Sequence, residues 1–169
     1  MSGQTGQEEL PTVYIETSVI SYLTSRPSRD LLVAAEQQVT RDWWERALPR
    51  FRPFVSPLVV WEVGRGDPAA AGQRQAVIVA FEVLGVPNEA VVLAEAYMDA
   101  LRIPPKARFD AYHLAIASWH GMDFLVSWNC KHIANGRVRR ILEELNNGRG
   151  VRTPEICTPL ELMENESDV

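Results

Sequence analysis

Apolar residues fall along this chain in two rhythms. Short runs rich in β-branched and aromatic residues predict strands: "TVYI" at 12–15, "FRPFVS" at 51–56, "DFLVSW" at 123–128 and "PEICTP" at 154–159. Between them the apolar positions recur at helical spacing. "TSVISYL" reads as the first turns of a helix capped by Thr17 or Ser18. "DLLVAAEQQVTRDWWERAL" has Asp30 as its cap, and "PLVVWEVGRG" is opened by Pro57 and stopped by glycine. "DPAAAGQRQAVIVAFEVL" continues helical from an Asp67 cap, and "NEAVVLAEAYMDALRI" from an Asn88 cap. "KARFDAYHLAIASWHG" and "NGRVRRILEELNNGRG" complete the set, with "RPSR" a polar loop.

Helices alternating with short apolar strands predict an α/β fold, one mostly parallel sheet flanked by helices on both faces. In such sheets ligands sit beyond the carboxyl ends of the strands. That makes the ends of the strands the places to look. Glu16 ends the first, and Asn129 follows "FLVSW". Glu62 interrupts the apolar run "LVVWEV", where a carboxylate is costly to bury without a partner. Asp110 opens the alanine-rich helix "RFDAYHLAIA". Singly, each also reads as an ordinary surface, turn or first-turn residue.

Length and composition narrow the picture. With 169 residues and 46% hydrophobic content, the chain fits one globular domain with a sizeable core. The expected boundaries are a frayed tail at 1–11, a domain at 12–163 and a short tail at 164–169. No apolar run approaches a membrane span, and "MSGQTGQEEL" lacks an apolar leader core, so a cytoplasmic protein is expected. Two cysteines, Cys130 and Cys157, support neither a disulfide framework nor a zinc knuckle. A net charge of −5 argues against broad phosphate-backbone binding, though not against a nuclease that carries its own cations.

In "YIETSVISYL", "SPLVVWEV", "FDAYHLAIA" and "FLVSWNCKHIAN", in that order and spacing, the chain resembles the PIN-domain ribonucleases, in particular the VapC-type toxins of bacterial toxin–antitoxin pairs. The resemblance runs from Thr12 to Leu162 and includes the closing "TPEICTPLEL". It implies a single PIN-like domain and a metal-dependent endoribonuclease cutting single-stranded RNA. The family's acids map onto Glu16, Glu62 and Asp110, and its fourth position onto Asn129. These four would hold Mg2+ or Mn2+, with Ser18 and Ser127 hydrogen-bonding the carboxylates. It also implies an antitoxin partner and a homodimer, for which the apolar faces of "LLVAAEQQV" and "AVVLAEAYM" would serve. Two positions depart from the family pattern: the first is usually aspartate and is Glu16 here, and the fourth is commonly aspartate and is Asn129 here.

Other polar residues carry weaker signals. Arg26, Arg29, Lys131 and His132 are candidates for phosphate contacts, against an ordinary reading as solvated loop residues. Arg137, Arg139 and Arg140 look like a solvated helix face. His113 reads better as a histidine satisfied by its neighbours than as a metal ligand. Of Trp43 and Trp44, one is expected in the core and one half-exposed. Two other readings remain: a catalytically weak or inactive PIN-like scaffold that binds RNA or protein, and a phosphatase or nucleotide hydrolase. The last is disfavoured because "ETS" replaces a DxD after the first strand and no GxxxxGK[ST] loop is present.

Overall fold

A computed structural model describes residues 9–164. Five strands form one sheet: β1 (Thr12–Ile15), β2 (Arg52–Val55), β3 (Glu82–Val83), β4 (Phe124–Val126) and β5 (Glu155–Cys157). Their order is β3-β2-β1-β4-β5, and every pairing is parallel. Tyr14 lies between Phe54 and Leu125 in register. Val13, Tyr14 and Ile15 are all fully buried. Successive side chains of a strand point to opposite faces, so both faces of β1 are covered.

The covering helices are α1 (Thr17–Thr24), α2 (Leu31–Arg46), α3 (Pro57–Val63), α4 (Pro68–Ile78), α5 (Asn88–Leu101), α6 (Arg108–Trp119), α7 (Gly136–Arg149) and α8 (Pro159–Glu164). Helix α6 is central: Ala111, Leu114, Ala115, Ile116 and Ala117 are fully buried, and alanines let it sit close against its neighbours. Trp43 is fully buried, while Trp44 packs half-buried on the core edge, as the sequence suggests.

Three local expectations need correction. Helix α4 does not run on to Leu84: it ends at Ile78, and Glu82–Val83 form the edge strand β3. The backbone N–H of Leu84 donates to Val55 O at 2.8 Å, so pairing with β2 wins over the helical spacing. Helix α5 is not capped by Asn88, which is its first residue; Pro87 is the cap position, and its carbonyl accepts from Ala90 and Val91. Helix α1 is capped by neither hydroxyl but by Glu16, whose carboxylate accepts the Ser18 N–H. Asp30 and Asp67 cap α2 and α4 as expected. The expected N-terminal tail lies outside the described residues as far as residue 8, and Glu9–Pro11 run beside β2, where the Pro11 carbonyl accepts from Arg52 at 2.9 Å. The C-terminal tail beyond 164 also lies outside the described residues.

Candidate active site

The chain leaves β1 for β2 and β3 on one side, and returns to β4 and β5 on the other. The strand order therefore reverses between β1 and β4, where an open α/β sheet makes its ligand crevice. The residues following those two strands meet there. Ser127, after β4, donates to Glu16 Oε2, after β1, at 2.7 Å. The Ser18 hydroxyl donates to the same oxygen and accepts the Trp128 N–H at 2.9 Å. Glu16 is only 5% exposed, and its bonds explain why that is tolerable: it caps its own helix and ties two strand ends together. Both serines thus bond a carboxylate, as expected.

Replacing Glu16 with alanine should cost about 1–2 kcal/mol as a lost helix cap, with the hydroxyls of Ser18 and Ser127 losing their acceptor as well. Chemical denaturation measures it; Glu16→Asp, a good cap residue, should recover most of the loss. An alanine variant as stable as the parent would remove the capping role.

Glu62 sits one turn along α3. Its Oε1 accepts from Thr17 Oγ1 at 2.9 Å and lies 2.6 Å from Nε2 of His113. His113 is 1% exposed. Its Nδ1 lies 2.7 Å from Tyr14 Oη, which lies 2.8 Å from the Ser56 hydroxyl. Two proton orders satisfy the chain. Either the imidazolium donates to Glu62 and to Tyr14 and Tyr14 donates to Ser56, or the neutral imidazole donates from Nε2 to Glu62 while Ser56 donates to Tyr14 and Tyr14 to Nδ1. Burial pushes the His113 pKa down, but the Glu62 bond and the charges of Glu16, Glu62 and Asp110 outweigh it, so the imidazole is raised above 6.5. Burial pushes Glu62 up; His113, Thr17 and Arg65 overcome this and hold it below 4.5. Burial also drives the Tyr14 phenol far upward, with Glu16 and Glu62 adding to the rise, so it stays protonated.

Asp110 occupies the first turn of α6. Its Oδ2 lies 2.7 Å from Nδ1 of His132, each side chain 20% exposed. Asn129 Oδ1 accepts the His132 N–H at 3.0 Å, fixing the backbone that presents this histidine. An imidazole held by a carboxylate at one nitrogen is a proton carrier at the other. The structure therefore bonds Glu62 to the buried His113, Glu16 to Ser18 and Ser127, and Asp110 to His132, while the charges of all three acids act on His113. Arg26, Arg29 and Lys131 are exposed loop residues outside this bonded set. Arg139 is no mere solvated charge: it donates to Ile156 O at 2.8 Å and pairs with Glu161. Both cysteines are free thiols.

Carboxylate and amide oxygens suit a hard cation such as Mg2+ or Mn2+. Among the described residues no three His, Cys, Asp or Glu side chains stand together as a ligand set. Glu62 and Asp110 each already hold an imidazole. Sequence reasoning missed these partners. The available signal was Tyr14, a hydroxyl inside an otherwise apolar buried strand, which must find a buried bond.

No family model and no curated protein matches the sequence. Solved structures do. A toxin–antitoxin complex from Klebsiella pneumoniae superposes with a TM-score of 0.54 at 18% identity, over 88% of this chain and 98% of that one. VapC20 of Mycobacterium tuberculosis, a sarcin–ricin loop cleaving toxin, gives 0.52 at 18% identity, over 72% and 92%. VapBC2 from Rickettsia felis, bound to a DNA fragment from its promoter, gives 0.55 at 10% identity, over 87% and 98%. The five-stranded parallel sheet and its flanking helices give the chain the PIN-like fold of these VapC neighbours.

Proposed function

We propose that the chain is an endoribonuclease of the toxin type, cutting single-stranded stretches of RNA at the centre formed by Glu16, Glu62, Asp110 and Asn129. The observation that carries this is the placing of bonded acids beside the point where the strand order reverses: Glu16 tied to Ser127 after β4, Glu62 to His113 and Asp110 to His132. The fold shared with a sarcin–ricin loop cleaving toxin supports it. Magnesium or manganese belongs to this reading; bound, such an ion supplies an activated water and neutralises phosphoryl charge. Glu62 and Asp110 are each paired with an imidazole, so an ion held there would compete with His113 and His132 for them.

Incubation of the purified chain with single-stranded RNA tests the proposal. Cleavage should appear with added manganese and stop with a chelator. Cleavage that ignores the chelator would move the chemistry onto the carboxylate–imidazole pairs alone. No cleavage under any condition favours the second reading, a weak or inactive scaffold that binds RNA or protein. The observation behind that alternative is that Glu62 and Asp110 already have internal partners.

An antitoxin is the partner this reading calls for, since two of the fold neighbours are toxin–antitoxin assemblies. Failure of the chain to arrest growth when expressed alone would remove that role. Pairing of two copies is part of the same proposal. Leu31 and Leu32 on α2 are 87% and 70% exposed, and Val92 on α5 is half-exposed. A monomer in sedimentation velocity would sink it. Among the described residues no helix is long and apolar enough to cross a membrane.

A further inference from the structure

Two aromatic residues directly precede two of the acids. Trp61 precedes Glu62 on α3, and Phe109 precedes Asp110 on α6. Their rings meet edge to face, with centroids 5.5 Å apart and planes 75° apart. Tyr112 extends the row, 6.3 Å from Phe109. A guanidinium lies over each of the two main rings: Arg65 over Trp61 and Arg108 over Phe109, both at 4.6 Å. Trp61 is half-exposed, although a tryptophan gains from burial. Neither guanidinium makes an ion pair among the described residues. In a chain of net charge −5, this is a surface where cations and aromatic faces coincide.

We propose that Trp61 and Phe109, flanked by Arg65 and Arg108, form a stacking subsite for an unpaired base of single-stranded RNA, beside the Glu62–Asp110 centre. The proposal rests on the RNA reading above and specifies where substrate would be held. A base of any kind would stack on the side of the Trp61 ring opposite Arg65, and the two guanidinia would meet the flanking phosphates. Charge decides among occupants. A basic antitoxin tail reaching for the acidic centre would be repelled by Arg65 and Arg108. A second copy packed face to face would oppose these cations with their own counterparts. A polyanion with exposed bases suits both features.

Fluorescence anisotropy with a cleavage-resistant 2′-O-methyl phosphorothioate oligonucleotide, alongside an abasic strand of equal length, provides the test. The intact chain should bind the base-bearing strand roughly tenfold tighter than the abasic one. Trp61→Ala should erase that preference, and Trp61→Phe should keep most of it. The double change Arg65→Ala with Arg108→Ala should weaken both strands and lower the salt dependence by about two phosphate contacts. Circular dichroism confirms that the variants are folded; all of them leave the three acids in place. If Trp61→Ala binds both strands as the parent does, the subsite is overturned while the RNA reading stands. If that variant changes only the sedimentation coefficient, the face belongs to a second copy and the subsite is likewise overturned. An intact chain that binds neither strand overturns the RNA reading itself, and the subsite with it.

Discussion

Replacing Asp110 with asparagine should reduce RNA cleavage by at least about a hundredfold, the scale on which a positioned proton-transfer group contributes, while leaving the protein folded. The two halves of this expectation have separate causes. Asp110 is only partly buried on the first turn of α6, and its one side-chain bond runs to His132. Asparagine is nearly isosteric and can still accept that bond, so stability should move by roughly 1 kcal/mol or less. The lost negative charge is another matter. It helps raise the pKa of His113 and bonds His132. In the metal-dependent reading proposed above it is also one of three formal charges that would meet a divalent cation. Cleavage rate and melting temperature, measured on the same preparation, separate the halves. Expression in bacteria gives the cellular counterpart: growth arrest by the parent and none by the variant. An asparagine variant that cuts RNA at the parental rate would take Asp110 out of the active centre.

The candidate acids were legible in the sequence by different signals: Glu16 ends the first strand, Glu62 interrupts the apolar run of α3, and Asp110 opens the alanine-rich α6. The bonds that organise them were not. His113 stands three positions after Asp110, yet its bond is to Glu62, 51 residues away. His132 reaches Asp110 across 22 residues. Such pairings depend on how α3, α6 and the loop after β4 pack, which spacing along the chain does not encode. Strand β3 was illegible for a different reason: Glu82 and Val83 are both exposed, so no alternation marks them. The α1 cap misled because Thr17 and Ser18 are the better cap residues by preference. A carboxylate one position earlier, aimed back by Ser18 and Ser127, takes the role instead.

Replacing His113 with alanine should cost about 3 kcal/mol, the low end of what breaking a buried ion pair costs. The low end applies because Glu62 keeps Thr17 and some solvent, with a quarter of its side chain exposed. Tyr14 and Ser56, both fully buried, lose the end of their hydrogen-bond chain. For a domain of this size the melting temperature should fall by about 6–12 °C. The pH dependence tests the ion pair more sharply than the size of the loss. His113 is raised above its ordinary 6.5, so its contribution is complete below pH 6.5 and is lost as pH rises through the raised value. Glu62 is held below its ordinary 4.5, so its contribution is complete above pH 4.5 and is lost as pH falls through the depressed value. The two windows overlap between pH 4.5 and 6.5. There the stability gap between the parent and His113→Ala should be widest, shrinking on both sides. Glu62→Gln separates charge from shape, because its amide oxygen can still accept from Nε2 while the ion pair is gone. Its stability should therefore lie between the two, with the pH dependence above 6.5 flattened. A gap between parent and alanine variant that stays constant from about pH 5 to about pH 9 would mean that His113 is neutral in the fold. In that case the three acids would not be gathered around a buried cation, and the cluster would be held by neutral hydrogen bonds alone.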